Sequence, residues 1–172
     1  MNLTNNQIKK KYPSADIEEG AYILEGVIIE AGAYIEARVI IEKTAIIREN
    51  AIIRENSYIR EGAIIGKGAV IQERAVIREG ARIKAGAVIR EGADIGVGRK
   101  EVDQSLVILG IGATKKITAY RCSDGLIVNI GCQNKFKGYP YKKMKKAISK
   151  KYNKDHSYFL ALKIIKKWYK NL

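Results

Sequence analysis

The chain has 172 residues, with 32 Lys and Arg against 18 Asp and Glu, a net charge of +14, and two cysteines, Cys122 and Cys132. That length holds one domain with an appendage or two small domains sharing a core, and so few cysteines exclude a disulfide scaffold. Neither a charged-then-apolar leader nor a long uncharged apolar run is present, so the expectation is a reduced, cytoplasmic protein with no membrane partner. By segment the charge is +3 over 1–14, −3 over 15–98 and +14 over 99–172, which assigns any anion binding to the C-terminal segment.

Thr4 with Gln7 is a capping-box pair that opens a short helix, and Pro13 stops it, giving an N-terminal capping helix over 1–14. From residue 15 one period takes over. Isoleucine stands at 17, 23, 29, 35, 41, 47, 53, 59, 65, 71, 77, 83, 89 and 95 without a miss. Three residues after it comes Gly or Asn in eleven of the fourteen hexads, the departures being Arg38, Thr44 and Arg74. Gly and Asn are the residues that accept a left-handed backbone at a corner. Four residues after it the side chain is small in most hexads, as at Ala21, Ala33, Ala45, Ala51 and Ser57, with Val27 and Val39 larger. A small residue and an isoleucine two apart share one side of a strand. An amphipathic helix repeats at three and four, so a six-residue period means a short strand plus a corner, and three hexads close a triangular coil.

This pattern over 15–98 resembles the hexapeptide-repeat superfamily. The resemblance implies a left-handed parallel β-helix and trimers packed along their prisms. Fourteen hexads then make between four and five coils, roughly 22 Å tall at the ~4.8 Å strand spacing. The residue before each isoleucine points outward, in columns Asp16, Tyr34, Ile52, Val70, Val88; Tyr22, Ile40, Tyr58, Val76, Asp94; and Ile28, Ile46, Ile64, Arg82. Each face thus carries an apolar stripe, to be covered by other copies of the chain or by the C-terminal segment folding back over one of them. The residue after each isoleucine also points outward, and stacks Glu36 on Arg54, Glu42 on Arg60 and Glu30 on Arg48 as ion pairs.

The hexads stop after Gly98, and 99–172 reads as a basic α+β domain. Strands are expected at Leu106–Leu109, Ile117–Cys122 and Leu126–Ile130, with a Ser123-Asp124-Gly125 turn between the last two. One helix is expected from Tyr141 to Tyr152 with a stripe of Tyr141, Met144 and Ile148, and another from Asp155 to Asn171 with Tyr158, Leu162, Ile165 and Tyr169 on one face. Thr118-Ala119-Tyr120, Asp124-Gly125 and Gly131-Cys132 are similar to a C-terminal domain of uncharacterised phage and prophage hexapeptide-repeat proteins. That resemblance implies a protein of a mobile element and brings no activity with it.

Acyltransferases of the hexapeptide superfamily use a coil histidine as general base on the acceptor hydroxyl, and residues 15–98 contain none. The related zinc carbonic anhydrases need three histidines, and the chain has only His156, beside Asp155 at a helix start, so neither metal nor cofactor is expected. Cys122 and Cys132 do not face each other on their hairpin and should be free thiols. The candidate ligand-binding residues are Arg99, Lys100, Lys115, Lys116 and Arg121, with Tyr120 among them, where the β-helix meets the C-terminal domain. Fixed cations beside a ring suit a phosphate or nucleotide. The pairs Lys142-Lys143, Lys145-Lys146 and Lys150-Lys151, with Lys163, Lys166, Lys167 and Lys170, add a broad positive surface. The expected protein is a non-enzymatic homotrimer holding an anionic small molecule or a nucleic-acid backbone. The alternatives are a hexapeptide-type acyltransferase and a purely structural oligomerisation module.

Overall fold

The computed structural model describes residues 1–96, 101–109, 116–122, 125–130, 139–151 and 157–171. Its hexads form eleven two-residue strands from β1 (Asp16–Ile17) to β11 (Val76–Ile77), then β12 (Arg82–Ile89) and β13 (Asp94–Ile95). Each strand pairs in parallel with the one three hexads on, so Ile17 lies beside Ile35, Ile35 beside Ile53 and Ile77 beside Ile95. The result is a left-handed parallel β-helix of about five turns. Its interior follows from the period: Ile35, Ile53 and Ile71 are 0% exposed and stack along one face, and Ala33, Ala51 and Ala69, also 0% exposed, fill the space beside them. Branched side chains suit such stacking because their rotamers are already restricted.

All thirteen described corner residues have positive φ, including the three that are neither Gly nor Asn: Arg38 at 58°, Thr44 at 59° and Arg74 at 56°. At two of these three the coil below holds the corner. Arg38 N–H donates to Gly20 O and Arg74 N–H to Glu55 O, each at 3.1 Å, so the corner is held from outside its own sequence preference. Gly66 answers a different constraint. A Cβ there would lie 2.5 Å from the Ala85 backbone nitrogen and 2.6 Å from the Lys84 carbonyl carbon, because β12 crosses directly over it.

The two ends are closed differently. At the start, α1 (Asn5–Lys11) carries the expected Thr4–Gln7 capping box. Ile8 and Tyr12 seal the first coil, with the Tyr12 hydroxyl donating to Val27 O at 2.7 Å. At the other end β14 (Glu101–Leu109) continues the prism by pairing in parallel with β12. Ile83 faces Val102, one residue past the three-hexad spacing, which is why the period is no longer visible in the sequence beyond Gly98. Val102 is buried in the solenoid core all the same.

From β14 the sheet runs antiparallel through β15 (Lys116–Cys122), β16 (Gly125–Ile130) and β17 (Tyr139–Pro140). One face of these strands closes the end of the prism, where Tyr120, Cys122 and Ile127 join the solenoid core. The other face carries Ile117, Ala119 and Val128 into a second core with α2 (Tyr141–Lys151) and α3 (Ser157–Lys170). Met144 and Ile148 of α2, and Tyr158, Leu162 and Ile165 of α3, are the buried members of the expected stripes. Among the described residues the C-terminal strands stack on the end of the prism and do not fold back along one of its apolar stripes. Among the described residues no helix is long and apolar enough to cross a membrane.

Candidate anion-binding site

On the prism, charge is consumed locally. Glu18, Glu30, Glu36 and Glu42 each accept a backbone N–H from the next coil, from Ala37 at 3.0 Å, Glu49 at 3.1 Å, Glu55 at 2.8 Å and Glu61 at 3.0 Å. The three expected ion pairs all form, Arg48 on Glu30, Arg54 on Glu36 and Arg60 on Glu42. Tyr34 and Tyr58 hydroxyls donate to Glu18 and Glu42. The Tyr34 hydroxyl and then the Ala37 N–H hold the Glu18 carboxyl below its usual range, and Arg48 does the same for Glu30. Burial pushes Glu42 up, but Tyr58, the Glu61 N–H and Arg60 together outweigh it and the net direction is down. Arg78 makes a bidentate pair with Asp94, 2.7 Å on both arms, the least exposed pair on the prism. Carboxylates so engaged leave the solenoid little net field to offer a ligand.

The junction separates two of the residues that the sequence groups together, Tyr120 and Arg121. Tyr120 lies on the prism side of β15 and is 5% exposed. Its hydroxyl is pushed up to about 12, chiefly by burial and further by Cys122 and Asp94, against a backbone hydrogen bond at Gly96. Successive residues of a strand face opposite ways, so Arg121 lies with Ile117 and Ala119 on the helix side, half-buried and directly opposite Leu126 of β16. Tyr120 is thus part of the end seal of the prism and not a platform beside Arg121. Lys116 is the first residue of β15. Arg99, Lys100 and Lys115 lie outside the described residues, as do Cys132, His156 and the 123–124 turn.

Ser105, which the sequence reading passed over, and Thr118, named there only within a motif, do the capping. Ser105 Oγ accepts the Arg90 N–H at 2.9 Å and Thr118 Oγ1 accepts the Asp94 N–H at 3.3 Å, so hydroxyls of β14 and β15 satisfy the open edge of the last coil. Their signal in the sequence is a hydroxyl within each strand that follows the end of the period. Cys122 is a buried thiol, in no disulfide, that donates to Gly125 O at 3.2 Å. Among the described residues no group of three His, Cys, Asp or Glu could hold a metal ion.

Beyond the sheet the lysines lie outward, as the helical pattern requires. Lys142, Lys143, Lys145, Lys146 and Lys150 on α2 and Lys163, Lys166, Lys167 and Lys170 on α3 are all exposed. Neither helix contains an acidic residue.

Residues 44–79 match the family model described as bacterial transferase hexapeptide (six repeats). The matched residues lie within the solenoid, from the Thr44 corner to just past β11. The hexapeptide fold is similar to that of a mutant perosamine N-acetyltransferase from Caulobacter crescentus, solved in complex with CoA and GDP-perosamine. Identity there is 19%, the TM-score 0.41, and the match covers 52% of this chain and 50% of that one. It is also similar to the acetyltransferase domain of PglB from Neisseria gonorrhoeae FA1090, at 24% identity and a TM-score of 0.27, covering 52% and 48%. The chain spans about half the length of these structures. Against curated proteins the comparison gives no match.

Proposed function

We propose that this chain is a non-enzymatic binding protein in which a hexapeptide prism, associated as a homotrimer, displays a basic C-terminal domain over 99–172 that holds an anionic ligand, nucleotide-like or a nucleic-acid backbone. The observation that carries the reading is the segregation of charge. Glutamates of the prism are paired or hydrogen-bonded coil to coil, while α2 and α3 present nine exposed lysines and no acid. Exposed Tyr22 and Ile40 on one face, at 54% and 36%, and Ile28 on another, at 52%, belong to the apolar stripes through which copies associate. Arg99, Lys100, Lys115, Lys116 and Arg121 are the cations assigned to the junction. Sequestration of such a ligand by a phage-encoded protein fits this arrangement.

The family match favours a second reading, acyl transfer to a small hydroxyl or amine, because the matching model is named for bacterial transferases. The comparisons stand nearer to this reading than to the first. Against it, residues 15–98 hold no histidine to take the acceptor proton, and a fold shared with transferases does not carry their chemistry. Native mass spectrometry of the protein purified from cells, followed by a thiol-release assay with acetyl-CoA, decides between them. A trimer carrying a small anionic mass and releasing no thiol supports sequestration. Steady release of CoA thiol replaces it with acyl transfer.

A further inference from the structure

A pocket of about 430 Å³ opens between the start of α2, the end of α3 and the β16–β17 edge. Its apolar walls are Leu126, Pro140 and the rings of Tyr141 and Tyr169. Lys142, Lys166 and Lys170 stand among the same lining residues, and among the described residues no acidic one does. The volume falls within the range of small-molecule sites. We infer that this pocket binds a small organic anion with a flat apolar body, a nucleoside monophosphate or an aromatic carboxylate, its ring against the tyrosines and its charge among the three lysines.

Three observations point the same way. The Tyr141 ring is fixed before any ligand arrives, since its hydroxyl donates to Leu162 O at 3.1 Å and ties α2 to α3. A wall held by its own hydrogen bond loses little freedom on binding. Second, α2 carries Lys142 and Lys143 directly after its first residue, Tyr141, and has no acidic residue in its first turn. A cation at a helix N-terminus opposes the helix dipole, so Lys142 costs the helix stability that an anion in the pocket would return. Third, Arg121 lies directly opposite Leu126 across β15 and β16, so the pocket wall adjoins the half-buried junction arginine on the same face of the sheet. An aromatic anion satisfies both halves of the lining at once, whereas a neutral ring leaves the lysines unanswered and a bare phosphate leaves the apolar walls in water.

The assignment rests on the anion-binding reading above and places its ligand away from the prism. It is tested by isothermal titration calorimetry of the full chain with AMP, 1-naphthoate and adenosine. At least one of the two anions is expected to bind, weakening as salt rises, with adenosine at least about tenfold weaker than AMP if AMP is the better ligand. Lys142→Gln with Lys166→Gln, and separately Tyr169→Ala, should each weaken the bound anion about tenfold or more. Lys9→Gln with Lys10→Gln, the same loss of charge on exposed positions of α1, should not. Thermal melts of each variant separate lost binding from lost folding. Anion binding that survives both pocket variants but is abolished by Arg121→Ala with Lys116→Ala overturns the pocket and leaves the anion-binding reading standing. Absence of binding by either anion to the folded wild-type chain overturns the pocket, and retained binding of a nucleic acid would then still uphold the broader reading.

Discussion

Thr44 sits at a corner with φ of 59°, although a β-branched residue is among the least suited to it. The next hexad corner, Asn50, shows what the site prefers. Its side-chain oxygen occupies the space a Cβ on Gly32 would need, 2.2 Å from that position. Over Gly26, one coil below Thr44, the corresponding space is open, and the nearest atom to a Cβ there is Thr44 N at 3.9 Å. Thr44→Asn therefore copies the Gly32–Asn50 pair onto Gly26. An ordinary residue in this region costs ~1–2 kcal/mol, much of which asparagine avoids. The exposed Thr44 hydroxyl's bond to Lys43 O, worth about 0.5 kcal/mol, is lost. The net gain is about 0.5–1 kcal/mol. At about 2–4 °C per kcal/mol for a chain of this size, the melting temperature should rise by about 1–4 °C in a reversible calorimetric scan. Thr44→Gly should do no better, because glycine also loosens the unfolded chain by ~0.5–1 kcal/mol. Asn50→Thr should lose what Thr44→Asn gains. A lower melting temperature for Thr44→Asn, or an unchanged one for Asn50→Thr, would show that the corners are set by the coil ladder alone and refute the reasoning.

Ile53 is 0% exposed and stacked between Ile35 and Ile71, so Ile53→Ala should cost about 2–5 kcal/mol, read as a lower urea midpoint; a shift within error would mean the interior can collapse around the gap. The Glu18, Glu30 and Glu42 carboxyls are all held below their ordinary 4.5 in the folded chain. Their contribution is therefore complete above pH 4.5 and is lost as pH falls through the lower folded values. Acid unfolding followed by circular dichroism should show Glu42→Gln with a flatter dependence on pH below 4.5 than the parent chain, and an identical slope would remove Glu42 from the account.

Most of the prism is legible because its period repeats one local rule at every hexad. The isoleucine column, the corners and the Glu–Arg stacks follow from placing residue i beside residue i+18. The strands and helices of the C-terminal part are also visible, α2 as Tyr141–Lys151 and α3 as Ser157–Lys170 within two residues of the expected limits at each end. What escaped has a common cause: it depends on the register between segments that no longer repeat. Val102 enters the solenoid core one residue out of step. The grouping of Tyr120 with Arg121 overlooked the alternation of a strand, which puts Tyr120 on the prism side of β15 and Arg121 on the other. The carboxylate acceptors for backbone N–H groups on the next coil follow from the same stacking as the ion pairs, but require the backbone path between coils.

The location of the ligand chemistry follows from how a solenoid satisfies itself. A coil that stacks on an identical coil uses its outward charges to bind its neighbour, so an interior coil has few groups left for anything else. Only an end offers groups without a coil above them, and the two ends here differ. The first is closed by the short helix α1 through Ile8 and its C-cap Tyr12. The last hands its edge N–H groups at Arg90 and Asp94 to hydroxyls on a non-repeating sheet, and that sheet carries a second core with two lysine-rich helices on its far side. The cations that the prism does not neutralise therefore stand one layer beyond its end, on helices whose apolar faces are fixed by the sheet, and binding there can change without disturbing the coil-to-coil contacts.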